Sequence, residues 1–196
     1  MSRLGTYRMA GMGELPLPDP PLAGGGLALR PFEAGDVAAV TAACQDPEIP
    51  RWTHVPSPYR EQDALQFFSY AAAAREAGRE LHMAIVSADD DRLLGTIGLE
   101  AGVEPAIAEI GYWVAPEARG RGVATRAVAL FSGWAIRELG IERVELLAHP
   151  ENEASQLVAR AAGFTREGLL RRYRRRKGRR EDLLMFSLLA DELGAA

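Results

Sequence analysis

Two glycines one residue apart, Gly120 and Gly122, stand between a strand-like run ending at Val114 and an apolar run from Val123 to Leu139. That arrangement suits an anion. The first N–H groups of a helix have no internal partner, and the helix dipole adds about half a positive charge there. Without a Cβ, Gly120 and Gly122 let a phosphate approach the main chain. The spacing is not the dinucleotide pattern G-x-G-x-x-G, because Thr125 takes the third place, and no G-x-x-x-x-G-K-S/T is present. Cys44 falls with Val37, Val40 and Thr41 on one helical face and reads as a buried structural thiol rather than a nucleophile.

The elements that must position this turn follow from periodicity. Residues 1–26 are rich in Gly and Pro and read as an extended or mobile leader, with one domain over 27–196. Leu27 to Phe32 reads as a strand. A helix capped by Asp36 follows, then a four-proline loop from Asp46 to Tyr59. Ser57-Pro58 supplies an N-cap and first-turn proline for a helix reaching about Ala77, with Leu65, Phe68 and Ala72 as its apolar face. Glu80–Ser87, Arg92–Ala101 and Ala106–Val114 alternate as an antiparallel meander. The helix from about Arg121 to Leu139 is apolar nearly all round and is expected to be buried, with Arg126 and Arg137 on its narrow polar stripe. Glu142–His149 is the next strand, and a crossover of this length implies a right-handed parallel unit. Asn152 caps a short helix, and Phe164–Tyr173 and Asp182–Leu189 close the chain as two strands.

At 196 residues the chain is long enough for a sizeable core, and 47% hydrophobic with 26% charged content is that of a globular domain. A single cysteine excludes an internal disulfide framework and fits a reducing compartment. No apolar run reaches the roughly 18 residues of a membrane span, and no compact apolar segment of a signal peptide stands at the N-terminus. A cytoplasmic protein with no membrane partner is expected. The net charge of −4 is uneven: residues 171–180 carry eight positive charges and no acid, and removing these eight leaves −12 on the remainder. The strip reads either as a solvated hairpin tip or as a contact for an anionic partner.

The turn resembles the pyrophosphate loop of the GCN5-related N-acetyltransferase (GNAT) superfamily, Gln/Arg-x-x-Gly-x-Gly/Ala, here Arg119-Gly120-Arg121-Gly122-Val123-Ala124. The element order from Leu27 onward is similar to that superfamily throughout. Further marks resemble its RimJ/RimL-like branch of ribosomal-protein N-acetyltransferases: Glu109 to Val114, Asn152 to Ser155, Ala162 to Gly168, and Asp182 before the last strand. The resemblance implies an α/β (α+β) fold, a mixed, mostly antiparallel sheet of about seven strands splayed between the fourth and fifth, flanked by about four helices. It implies an acetyl-CoA-dependent N-acetyltransferase without a metal, acting by direct attack on the thioester in a ternary complex. The amine favoured is a peptide or protein N-terminal α-amine. The alternatives are a small-molecule amine, a succinyl-type acyl group, or a non-catalytic acyl-CoA-binding module. Partners implied are CoA, the acceptor amine and a second copy of the chain, with ribosome or RNA contact through residues 171–180 as a further alternative.

Residue by residue, the resemblance gives CoA binding to Val114, Arg119, Gly120, Arg121, Gly122, Val123, Ala124 and Thr125, with Asn152 as an amide contact. An amine with a lysine-like pKa near 10 must lose a proton before attack. Glu109 stands where many relatives carry a glutamate base, and its other reading is a strand carboxylate paired with an arginine. His149 is the fallback base, and His54 and His82 read as structural or surface residues. The helical tyrosine that many members use as an acid is replaced by Ala159. Ser155 is then expected near the sulfur as a weak acid or hydrogen-bond donor. Trp52, His54, Tyr59 and Tyr112, alongside Tyr173 and the arginines near it, are the expected acceptor-side residues.

Overall fold

A computed structural model describes residues 13–102 and 104–193. Strands β1 (Leu22–Gly24) and β2 (Leu27–Arg30) form a hairpin. Helices α1 (Asp36–Ala43), α2 (Glu48–Trp52) and α3 (Glu61–Glu76) follow. The meander is β3 (Glu80–Ser87), β4 (Leu93–Ala101) and β5 (Ile107–Val114). Then come α4 (Val123–Leu139), β6 (Arg143–Ala148), α5 (Glu153–Ala161), β7 (Thr165–Arg176) and β8 (Arg179–Leu189). The eight strands form one sheet in the order β1-β2-β3-β4-β5-β6-β8-β7. Every neighbouring pair is antiparallel except β5–β6.

One sheet face packs on α4 and α5. There Phe131, Ile97, Leu99, Val144 and Phe186 are essentially inaccessible and belong to one apolar cluster. The other face packs on α1 and α3 through a smaller cluster that includes Val40, Cys44, Ile49, Tyr59 and Ala84. The all-round apolar character of α4 is explained by its place against the sheet centre, where Ala127, Val128, Phe131 and Ala135 are buried.

The ordered body begins before Leu27. Leu15 is fully buried and its N–H donates to the Arg75 carbonyl, while Leu22–Gly24 pairs with β2, so part of the expected leader belongs to the domain. This strand raises the count from about seven to eight. A fifth helix, α2, lies in the segment expected to be a loop; its Pro50 sits in the first turn, where a missing N–H costs nothing. Helix α3 starts later than Ser57-Pro58 suggested. Asp63 closes its first turn by accepting from the Arg60 N–H at 2.7 Å. Its inward face is Ala64, Ala71 and Ala74, whereas Leu65 is half exposed. Asp36 is no cap: it is buried, and its carboxylate takes both terminal nitrogens of Arg30, at 2.8 and 3.0 Å. Helix α4 starts at Val123 rather than Arg121. The final hairpin is longer than expected and turns at Lys177-Gly178.

The feature that makes a site is the short β5–β6 ladder. Its register runs only through Ile107↔Arg143, Ala108↔Val144 and Glu109↔Glu145. Beyond Glu109 the two strands part, as expected between the meander and the strand after the long helix. Unpaired main-chain groups are costly when buried. The gap therefore stays open as a cleft.

Candidate active site

The cleft has a volume of about 1040 Å³ and runs from the glycine turn, past the parted edges of β5 and β6, to α2, α3 and the final hairpin. Its size is at the upper end for small-molecule sites.

At one end stand Gly120 and Gly122, with φ of +71° and +70°. An L-residue with a side chain is strained there, so both glycines are required by the turn itself. Gly122 is the N-cap of α4 and makes no side-chain cap, and the helix has no acidic residue in its first turn. The N–H groups of Val123, Ala124 and Thr125 therefore face the cleft without an internal partner, and no carboxylate competes for the positive helix end. Arg119 fixes the turn from below: its Nε donates to the Val114 carbonyl at 3.1 Å and its Nη2 to Asp46 at 2.9 Å. That contact holds the Asp46 carboxyl below the usual range. Arg121 is exposed, and its carbonyl accepts from Arg126 at 2.9 Å. This end fits a diphosphate.

In the middle, Asn152 caps α5, its Oδ1 accepting from the Ser155 N–H at 3.1 Å. The Ser155 hydroxyl lies 3.0 Å from the Tyr112 hydroxyl. Burial, opposed by the Ser155 hydrogen bond, pushes the Tyr112 phenol up to about 12, so it stays protonated at neutral pH. Tyr112, expected on the acceptor side, thus sits beside Ser155 on the α4/α5 side of β5. Ala159 is buried, confirming that no tyrosine enters from that helix position.

At the far end, four glutamates stand in register across four strands: Glu80 opposite Glu100, Glu100 opposite Glu109, Glu109 opposite Glu145. Directly opposed like charges repel. Three have relief. Glu80 accepts from Tyr70, and its other oxygen lies 2.7 Å from His82 Nε2. Glu145 accepts from Arg143 at 2.8 Å. Both oxygens of Glu109 accept from the Arg174 guanidinium, one at 2.7 Å. Glu109 therefore takes the arginine-paired form that the sequence left open, and this pairing raises the Arg174 pKa. Glu100 makes no hydrogen bond or ion pair to another described side chain. Burial, then Glu80 and Glu109, push its carboxyl upward against the pull of Arg174. It lines the cleft beside the open floor at Gly111, where even a Cβ would meet nothing within 4 Å.

The remaining expected residues divide. Trp52 lines the cleft, held by its Nε1 donating to Glu48 at 3.0 Å and by Arg51 over its ring. The His149 ring packs against Trp52 at a tilt of 41°, with 5.4 Å between centroids, and its Nδ1 accepts from the Glu151 N–H. Tyr59 is a packing residue, 7% exposed within the α1/α3 cluster, and only edges the cleft. Tyr173 is corrected: it is 46% exposed and lies outside the cleft. A bulge explains this: the β7–β8 register skips one residue between Arg166 and Gly168, which reverses the alternation that would have turned Tyr173 inward. His54 and His82 both line the cleft, His54 exposed at its rim and His82 half-buried, and burial followed by Arg174 and Arg176 lowers the His54 pKa. Glu100 went unnoticed, and Arg174 was expected only as one of the arginines near Tyr173. The signal for them was the register of the meander, which places Glu100 beside Glu109.

Among the described residues no group of three or more His, Cys, Asp or Glu is placed to hold a metal ion. None of their helices is long and apolar enough to cross a membrane.

Parted parallel strands over a glycine turn at a helix start define a class, and comparison with known proteins gives the same class. The acetyltransferase (GNAT) domain model matches residues 27–165. The chain is 31% identical over 171 residues to the uncharacterized N-acetyltransferase p20 of Bacillus licheniformis, covering 85% of this chain and 94% of that one. RimJ of Mycobacterium smegmatis, solved in complex with CoA-disulfide, superposes with a TM-score of 0.76 at 28% identity, over 86% of this chain and 84% of RimJ. The ribosomal-protein-S5-alanine acetyltransferase of Vibrio fischeri shares the fold at a TM-score of 0.75 and 19% identity, over 87% and 97%. The chain belongs to the GNAT acetyltransferase family and is an N-acetyltransferase with RimJ/RimL-type structural neighbours. Acetyl-CoA is consistent with the family and with the CoA-bound relative.

Proposed function

We propose that the protein transfers an acetyl group from acetyl-CoA to the N-terminal α-amine of a peptide or protein. The observation that carries this reading is the single cleft, continuous from the glycine turn to an acidic floor open at Gly111. A cationic ammonium is attracted to that floor, and an open end admits a chain behind the amine. The RimJ relationship favours the same acceptor.

The residues divide the work. The N–H groups of Val123 to Thr125, with Val114, Arg119, Gly120, Arg121 and Gly122 shaping the turn, hold the diphosphate. Asn152 both caps α5 and offers its amide to the donor. The amine must lose a proton to attack the thioester carbon, and Glu100 takes it. Of the four registered glutamates it is the one whose carboxylate has no hydrogen-bonding side-chain partner, and a raised pKa makes a carboxylate a better base near neutrality. Glu109 is a positioning residue that holds Arg174 against the hairpin wall. As the C–S bond breaks, Ser155 donates its proton to the departing sulfur and Tyr112 donates to Ser155. A thiol pKa near 8.5 makes this assistance a modest part of the rate. Arg174 and Arg176 are occupied by Glu109 and Glu181, so neither is free to receive a dicarboxylic acyl group. Acetyl is accordingly the favoured acyl group.

The test is thiol release from acetyl-CoA with short peptides of free and blocked N-termini, with product identified by mass spectrometry. Acetylation confined to the free α-amine supports the reading. Turnover only on non-peptide amines would replace it.

A further inference from the structure

The final hairpin carries its charge in an arrangement that costs folding energy. Arg174 and Arg176 turn into the cleft and pair with Glu109 and Glu181. The other arginines do not. Arg171, Arg172, Arg175 and Arg179 have no carboxylate on their guanidinium groups among the described residues, and Arg180 reaches only the carbonyls of Arg172 and Tyr173. The ladder sets Arg175 directly opposite Arg180 and Arg176 opposite Arg179. Directly opposed like charges destabilise a strand pair. The bulge adds to this: Arg172 has φ +50° with its N–H tied to Asp182 at 2.7 Å, and Arg171, Arg172 and Tyr173 are all exposed. Glu181 relieves Arg176, whereas no carboxylate among the described residues offsets the Arg175–Arg180 repulsion.

We infer that the outer face of the β7–β8 hairpin docks an acidic stretch of the acceptor polypeptide, a few residues behind the amine that enters the cleft. This rests on the polypeptide acceptor of the proposed function. The hairpin is the cleft wall: Arg174, Arg176 and Glu181 line it, and Arg176 and Lys177 donate to the Arg51 and Pro50 carbonyls of α2. Its outer face therefore adjoins the cleft mouth. An extended chain advances roughly 3.4 Å per residue. Residues a few places behind the amine are therefore the ones placed to reach round the hairpin. The charge order is then complementary, a cationic amine on the glutamate floor and anionic side chains on the arginines. A long polyanion such as RNA is the poorer match, because the rest of the chain carries −12 and repels whatever extends beyond the patch.

The experiment uses three peptides that share their first three residues and continue with Asp/Glu, Ser/Gln or Lys. Each is assayed on the wild type, on an R175Q/R180Q double variant and on R175E/R180E. The shared tripeptide alone is the control. The wild type is expected to prefer the acidic peptide by about tenfold in kcat/KM, as suits several exposed charge pairs acting together, with the preference shrinking as salt rises. The preference should vanish in R175Q/R180Q and invert toward the Lys peptide in R175E/R180E, with tripeptide turnover unchanged. Equal rates on acidic and neutral peptides, or a preference kept by the variants, overturn the inference. A fluorescent acidic peptide with a blocked N-terminus and a single-stranded RNA oligonucleotide are compared by anisotropy. RNA binding that the double variant loses, without acidic-peptide binding, also overturns it. If no peptide is acetylated, the polypeptide acceptor itself fails. Blocked-peptide binding then decides the surface alone: binding lost in R175Q/R180Q retains it, and no binding removes it.

Discussion

Between Val114 and Thr125 the cleft presents main chain: two glycines at positive φ, then the free N–H groups of a helix start with no acid beside them. Across β5, toward α2 and the hairpin, it presents side chains: Glu100, Glu109, Arg174, His54, His82 and Trp52. The two ends answer different demands. A diphosphate is the same in every reaction, and fixed backbone donors hold it without reorganising. An acceptor differs from one enzyme to the next, and side chains are what can change without altering the fold. The comparison predicts that the donor end fails through conformation and the acceptor end through chemistry.

The largest effect should follow from the proton acceptor. Glu100→Gln is expected to lower kcat/KM by about a hundredfold or more, the low end of what a positioned base contributes. The pH profile tells it apart from a structural defect. A base works when deprotonated, and the Glu100 pKa is raised. Activity in the wild type should therefore rise with pH through that raised value, and the variant should lose this acidic limb. Glu109→Gln leaves Arg174 without its partner and should raise KM more than it lowers kcat. If the two variants exchange these signatures, Glu109 is the base and the roles here are reversed.

Next comes Gly122→Val. At φ +70° a β-branched residue costs about 1–3 kcal/mol, which is roughly five- to 150-fold in Kd if paid on forming the bound turn. Calorimetric titration with CoA reads this directly, and acceptor KM should be little changed. A loss confined to melting temperature, with CoA affinity intact, would mean that the turn serves the fold and not the ligand.

Tyr112→Phe and Ser155→Ala should each lower kcat by about tenfold, at the weak end for an acid because a thiolate leaves readily. Residues that act as a unit are non-additive. The double variant should therefore be no slower than the worse single one. Additive losses would separate Tyr112 from Ser155 and return it to the acceptor side, where the sequence had placed it.

These expectations also show why one end was legible in sequence and the other was not. Gly120, Gly122 and the apolar run after them have a fixed spacing because backbone geometry fixes it, so the turn, the buried helix α4 and the parallel step to β6 could be read directly. So could the Asn152 cap. The acceptor end depends on register between distant strands. Glu80, Glu100, Glu109 and Glu145 are spread over 66 positions of the chain and meet only because three ladders align them. Arg174 reaches Glu109 only because a one-residue bulge between Arg166 and Gly168 reverses the alternation of β7 and a two-residue insertion at 171–173 sets Arg174 opposite Glu181. The first bulge also turned Tyr173 out. Leu15 and Leu22–Gly24 were missed because a single buried leucine and a three-residue strand carry too little pattern to stand out from a Gly/Pro-rich stretch. Helix α2 was missed because its prolines, read as breakers, occupy positions where a helix tolerates them.

The smallest effect is the most exacting for the contrast between the two ends. At the donor end the Arg119 side chain bridges the Val114 carbonyl and Asp46. Its ion pair is substantially exposed, with Arg119 at 38% and Asp46 at 21%. Such pairs are worth about 0–1 kcal/mol. If the diphosphate is held by main chain, Arg119→Ala removes only the brace beneath the turn. CoA affinity should then fall by less than about fivefold, the Kd equivalent of that energy, and a small drop in melting temperature should accompany it. Arg119→Gln, which keeps a donor for the Val114 carbonyl, should recover part of the loss. A fall comparable to that of Gly122→Val would make the guanidinium itself a phosphate ligand, and the donor end would then be built of side chains as much as the acceptor end is.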